Sequence, residues 1–163
     1  MTLPVRVERA DVSKNSQRIL AIASGGGHWV QLLRLRPAFE SLEVVYVSRD
    51  PSSKADVPGA RYFTIADASR SQKLAFFLVA FQALWILIRV RPSVIVTTGA
   101  APGLVTLALG KSLFRAKTIW IDSIANVERL SGSGVLAARF ADIRLTQWPD
   151  LAQDGIEHWG AVL

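Results

Sequence analysis

With 163 residues the chain has the length of one domain, long enough to bury a real core and too short for two. It has no cysteine, which excludes disulfides, thiolate chemistry and cysteine-ligated zinc, and its two histidines, His28 and His158, are too few for a histidine-rich metal site. A net charge of +6 suits anionic lipid, phosphorylated ligands or nucleic acid, but the cations are scattered and no zinc-finger or RRM-type signature occurs, so no nucleic-acid partner is expected.

Half of the residues are hydrophobic and mean hydropathy is +0.29, more than a core of this size consumes. The excess points to a membrane or a partner surface. Residues 1–16 are polar and lack the apolar stretch of a secretory signal. They are expected to form a poorly ordered lead-in to a single domain over 17–163, with the protein on the cytoplasmic side.

In chain order, Arg18 to Ser24 is an apolar run ending in small residues, the pattern of a buried parallel strand. Gly25, Gly26 and Gly27 follow, then helical spacing of apolar residues from His28 to Leu42, interrupted near its end by Pro37. Strands are predicted at Glu43 to Ser48 and Arg61 to Ile65, joined by a polar loop. A long apolar helix covers about Gln72 to Val90 and is stopped by Pro92. Ser93 to Thr97 reads as a strand, Thr98 to Gly103 as a turn, Leu104 to Phe114 as a helix and Lys117 to Ile121 as a strand. A loop from Asp122 to Gly134, a short helix from Val135 to Ala141 and a strand from Ile143 to Thr146 complete the series. Alternating strands and helices imply a Rossmann-like parallel α/β sheet with flanking helices, whose ligands bind beyond the carboxyl ends of the strands.

Three turns occupy that edge: Ser24 to His28, Thr97 to Gly103 and Asp122 to Glu128. Ser24-Gly-Gly-Gly-His28 joins a strand to a helix, so glycines admit a ligand to the backbone and the helix start offers N–H groups to phosphate. The alternative is a tight turn without a ligand. The dinucleotide fingerprint fails, because Val30 stands where its third glycine belongs. His28, at the mouth of the loop, is a candidate ligand contact or general base. The second turn, through Gly99, Ala100, Ala101 and Pro102, is built of small residues that leave room for a ligand or for another backbone. Gly110-Lys-Ser112 resembles the end of a phosphate-binding P-loop, but Val105 replaces its upstream glycine and the tripeptide falls late in a helix.

The helix over 72–90 carries Phe76, Phe77, Phe81 and Trp85, with Arg89 and Arg91 at its end. It is expected to lie in the plane of a membrane, its cations reaching headgroups. A buried crossover helix is the alternative. A true span is disfavoured, because it would tear the sheet apart.

Ala23-Ser-Gly-Gly-Gly-His-Trp-Val-Gln-Leu-Leu33, Thr97-Thr-Gly-Ala-Ala-Pro102, Ile121-Asp-Ser-Ile-Ala-Asn-Val-Glu-Arg-Leu-Ser131, Leu145-Thr-Gln-Trp-Pro149 and Trp159-Gly-Ala-Val-Leu163 occur in that order. Together they resemble the bacterial exopolysaccharide and capsule proteins of the PssD, EpsE and CpsF type. Those proteins are related to the acceptor-binding, membrane-anchoring subunit of the eukaryotic transferase that adds GlcNAc to dolichol-linked GlcNAc. The resemblance implies a chain equivalent to the N-terminal half of a GT-B glycosyltransferase such as MurG, inactive without a partner that binds the UDP-sugar. The implied acceptor is a polyprenyl-diphosphate-linked saccharide at the cytoplasmic face of the membrane, with no cofactor and no essential metal.

By the same resemblance, Ser24, Gly25, Gly26 and Gly27 face the acceptor diphosphate and His28 the reacting hydroxyl. Gly99, Ala100, Ala101, Pro102, Asp122, Glu128 and Arg129 line the acceptor site. Asp122 stands where many relatives have Glu, and Asn126 where many have Arg. Two rival readings remain: a noncatalytic membrane recruiter of a partner transferase, and a stand-alone nucleotide-binding Rossmann module.

Overall fold

The computed structural model describes residues 17–67 and 73–162. The expected lead-in, residues 1–16, lies outside them, as do Gln72 and Leu163. Strands β1 (Arg18–Ile22), β2 (Glu43–Ser48), β3 (Arg61–Thr64), β4 (Val94–Thr97), β5 (Lys117–Ile121), β6 (Ile143–Thr146) and β7 (Glu157–His158) alternate with helices α1 (Gly27–Arg34), α2 (Lys73–Val90), α3 (Ala100–Phe114) and α4 (Gly132–Ala137). The strands form one seven-stranded sheet in the order β3-β2-β1-β4-β5-β6-β7. Every pairing is parallel.

Buried strand residues alternate between two cores, as period-two side chains must when both faces are covered. Leu20, Ile22, Val45, Val47, Ile95 and Trp120 pack with α2, α3 and α4. Ile19, Ala21, Tyr46, Val96 and Ile121 pack on the other face with Trp29 and Leu32 of α1 and with Val57. There Trp29 meets Tyr46 and Tyr62 edge to face, each at 6.0 Å, and donates its indole N–H to Asp56 at 2.8 Å. Burial raises both tyrosine pKa values, although Arg36 pulls that of Tyr46 the other way.

Several boundaries differ from the sequence reading. The helix expected over 28–42 stops at Arg34 and tightens into a 3-10 turn at Arg36–Phe39 around Pro37, which cannot donate to the ladder. Helix α3 begins at Ala100 rather than Leu104, because Pro102 sits in its first turn, where a missing N–H costs nothing. The last short helix starts earlier, capped by Ser131, whose hydroxyl accepts from Gly134 N–H at 2.8 Å. A 3-10 segment at Pro51–Asp56 and the two-residue strand β7 add order where the sequence suggested none.

Helix α2 crosses from β3 to β4 with Val79, Ala83, Ile86, Leu87 and Val90 in the core. Each large side chain so buried contributes about 1.5–3 kcal/mol. Gln82, its lone internal polar residue, accepts a hydrogen bond from Ala66 N–H at 2.7 Å. Its opposite face is bare: Leu74 is 86% exposed, Phe77 71% and Phe81 69%, with Phe76, Leu78, Trp85 and Ile88 also exposed. Among the described residues no helix is long and apolar enough to cross a membrane. α2 is both a crossover helix and an exposed apolar one.

Asp142 ties the far half of the sheet together. Its carboxylate accepts from Thr118 N–H at 2.8 Å and Thr118 Oγ1 at 2.9 Å, and pairs with Lys111 of α3. Partial burial works to raise its pKa, but Lys111 and Thr118 outweigh it and the pKa is lowered. Stability from a depressed carboxylate is present above its unfolded pKa and is lost as pH falls through the folded value. Asp142→Ala is therefore expected to cost about 1–3 kcal/mol at neutral pH. Urea unfolding should show that gap narrowing below pH ~4, the ordinary carboxylate range.

Candidate functional site

Strands β1 and β4 lie side by side, Ile22 opposite Thr97, yet their following chains run to opposite halves of the sheet. Such a reversal opens a crevice beyond the carboxyl ends, where doubly wound folds bind ligands. The loops leaving β1 and β4 meet there. Gly25 (φ 140°) and Gly26 (φ 54°) carry the chain in conformations that side-chain-bearing residues rarely adopt, and Gly27 opens α1. A Cβ on any of the three would meet nothing within 4 Å, so their surroundings are open.

His28 and Thr98 bind each other twice. His28 Nδ1 lies 2.8 Å from the Thr98 carbonyl, and the Thr98 hydroxyl donates to the His28 carbonyl at 2.6 Å. A carbonyl only accepts, so in the neutral ring Nδ1 carries the proton and Nε2 presents its lone pair. Nε2 makes no hydrogen bond among the described residues. Gly99 (φ 134°) lies against the imidazole: a Cβ there would stand 2.7 Å from both Cε1 and Nδ1. Ala100, at φ 67°, stores strain beside it. Pro102 is buried in the first turn of α3, while Ala100 and Ala101 are partly exposed.

The loop after β5 is organised by Asp122, which is 2% exposed. Its Oδ1 accepts from Ser123 N–H and Asn126 Nδ2, each at 3.0 Å, and its Oδ2 from Ser131 N–H at 2.8 Å. This carboxylate is occupied in shaping the 122–131 loop, and Asn126 serves the same task. Glu128 and Arg129 are exposed on the loop, and neither joins an ion pair among the described residues.

Beneath these loops runs a buried polar network that the sequence did not disclose. Gln147, after β6, donates through Nε2 to the Asp122 carbonyl at 3.0 Å and to Gln31 Oε1 at 3.3 Å, and accepts from Val162 N–H at 2.9 Å. Gln31 of α1 donates to Ser123 Oγ at 3.3 Å. Trp148 reaches the Ile124 carbonyl at 2.8 Å. A glutamine on an otherwise apolar helix face was the available signal, since a buried amide demands partners. Beside this network a pocket of about 220 Å³ is lined by Leu35, Leu145 and Trp159 to Val162. A broader cleft of about 920 Å³ flanks the starts of β2 and β3, at the opposite edge from His28. Position and chemistry, not size, single out the His28 edge.

Phe76, Phe77, Phe81 and Trp85 stand on the exposed face of α2, and Arg89 and Arg91 are exposed at its end. As a crossover from β3, α2 begins at the carboxyl edge, the edge that carries His28. Among the described residues no cluster of three or more His, Cys, Asp or Glu side chains is placed to hold a metal ion.

Gly99→Ala is expected to push the His28 ring aside and break its bond to Thr98. Overpacking of this kind costs about 1–3 kcal/mol. Thermal unfolding measures that loss, and the His28 ring resonances in NMR should shift with it.

Residues 8–162 match the family described as oligosaccharide biosynthesis protein Alg14 like. The UDP-N-acetylglucosamine transferase subunit ALG14 of Eremothecium gossypii is 42% identical over 67 residues, covering 38% of this chain and 30% of that protein. Its namesake from Mus musculus is 24% identical over 175 aligned positions, covering 86% of this chain and 79% of that protein. Among solved structures, MurG of Acinetobacter baumannii superposes with a TM-score of 0.70 at 12% identity, covering 87% of this chain and 44% of that one. UDP-N-acetylglucosamine 2-epimerase of Rickettsia bellii gives 0.66 at 10% identity, covering 90% and 45%. The chain thus spans less than half of either enzyme, and at those identities the likeness is one of fold: the N-terminal half of a MurG-type GT-B glycosyltransferase. By the family match over nearly its whole described length, the chain belongs to the Alg14-like family of oligosaccharide biosynthesis proteins.

Proposed function

We propose that this chain is the acceptor-binding, membrane-associating subunit of a two-chain GT-B glycosyltransferase. Its partner binds the nucleotide sugar, and the sugar passes to a polyprenyl-diphosphate-linked saccharide. The observation that carries the reading is the placement of the bare apolar helix α2 at the edge that holds the glycine-rich loop and His28. A lipid acceptor requires both features together, a surface that meets the bilayer and a polar crevice beside it. The names of the ALG14 relatives, each a UDP-N-acetylglucosamine transferase subunit, support a divided enzyme and a UDP-GlcNAc donor. The resemblance noted in the sequence adds the biological setting, exopolysaccharide or capsule synthesis at the cytoplasmic face of the membrane.

In this reading Gly25, Gly26 and Gly27 bring backbone N–H groups to the acceptor diphosphate, helped by the α1 dipole. Gly99, Ala100 and Ala101 keep the crevice free of bulk, with Ser24, Glu128 and Arg129 at its rim. Asp122 acts through the loop it holds. His28 Nε2 takes the proton of the acceptor hydroxyl as that oxygen bonds to the anomeric carbon and the nucleoside diphosphate departs. The Thr98 carbonyl holds the ring in the required tautomer and steadies the imidazolium that forms.

Two variants test His28. With both chains present, His28→Ala is expected to lower sugar transfer by about 10²–10⁴-fold, the range of general-base catalysis. Co-purification with the partner should remain intact. His28→Gln, which can bind a ligand but cannot take a proton at neutral pH, should be equally impaired. Unimpaired transfer by both variants would leave a membrane recruiter as the better description.

A further inference from the structure

The exposed face of α2 is apolar along its length, but its electrostatics change from one end to the other. Leu74, Phe76 and Phe77 stand at the carboxyl edge. Near the other end the Arg89 guanidinium lies 5.0 Å from the centre of the Trp85 ring. Trp85 meets Phe63 of β3 edge to face at 5.7 Å. Arg61, at the start of β3, lies 5.7 Å from the centre of the Phe63 ring. Cation, ring, ring and cation therefore form one stack across the seam between β3 and α2.

A guanidinium resting on a ring is positioned, weakly hydrated and still free to donate through its N–H edge. Arg61 and Arg89 are exposed, and the ion pairs among the described residues engage neither. Arg91 and Arg115 add cations at the amino edge, beyond the Arg89 end of the stack. Each is exposed where α2 or α3 ends, held there at positive φ, 47° and 54°. Tryptophan and arginine at the margin of an apolar face match the interfacial layer of a bilayer. Rings settle at headgroup level, and guanidinium forks bind phosphate.

We propose that the Arg61–Phe63–Trp85–Arg89 stack binds the headgroup phosphates of anionic glycerophospholipids, at a site separate from the acceptor crevice. The proposal rests on the membrane reading above. A diphosphate acceptor offers similar phosphate chemistry, but the stack lies at β3, the outermost strand and two strands from β1, whereas His28 stands over the junction of β1 and β4. From Leu74 to Arg89, α2 rises about 22 Å, at 1.5 Å per residue. Lipid held at this end fixes the rotation of the domain on the bilayer, so that the His28 edge stays at a constant height.

Flotation of the full chain with vesicles decides the matter. One set is pure phosphatidylcholine, and in the other about one third is phosphatidylglycerol, a fully anionic headgroup. Wild type is expected to bind the anionic vesicles about tenfold or more tightly, given the usual worth of two cations at such a surface. Arg61→Gln with Arg89→Gln should remove most of that preference while binding to phosphatidylcholine persists. A preference undiminished by the double substitution, or none in the wild type, overturns the proposal alone. Failure of the wild type to bind either vesicle overturns the membrane reading with it. Displacement from vesicles by inorganic pyrophosphate would instead make the stack an acceptor-phosphate site, contrary to the proposal.

Discussion

The site depends on how closely two loops can approach at the switch between β1 and β4. Parallel pairing of Ile22 with Thr97 brings the loop ends together. Only a glycine at 99 lets the imidazole of His28 settle against the neighbouring backbone. That contact allows the reciprocal hydrogen bonds with Thr98, which fix ring position and tautomer at once. The same economy continues inward. Gly103 of α3 has no room for a Cβ beside Thr97, so helix and strand pack backbone to side chain directly below the site. Strain at Ala100 is carried by this packed surround.

A second constraint shapes the rest of the molecule. Helix α2 must fill the core between β3 and β4, yet it is apolar on every side. Seven large side chains on its outer face remain exposed to water, each forgoing part of the ~1.5–3 kcal/mol that full burial contributes. A fold that keeps such a face gains from having it covered. The proposed function supplies the cover: a bilayer that also delivers the acceptor to the edge where α2 starts.

Much of this was legible in the sequence. Strands β2, β5 and β6 fall on the apolar runs that announced them, because a strand buried on both faces leaves an unbroken hydrophobic segment. The glycine-rich turn and the small-residue turn were visible as composition, and the fold brings them into contact. What stayed hidden depends on long-range partners. β7 is two residues long and exists through pairing with β6, which no local pattern records. The start of α3 was misplaced because Pro102 marks turns and first helical turns alike. Asp122 entered the acceptor site by resemblance, and only the fold shows that its hydrogen bonds run to its own loop. Gln31 and Gln147 sit 116 positions apart and became a unit only when α1 and β6 closed on the same edge. Hydropathy showed that α2 was apolar all round. It did not show which residues the sheet would cover.

The fold is half of a GT-B enzyme, and the proposed division of labour follows from that. One half supplies the acceptor crevice and the membrane surface, and the other supplies the nucleotide sugar. The most direct measurement is sugar transfer to a polyprenyl-diphosphate-linked acceptor in membranes, comparing this chain, its donor-binding partner and the two together. The account predicts transfer only when both chains are present. Full transfer by the partner alone would contradict it and reduce the His28 edge to a structural feature.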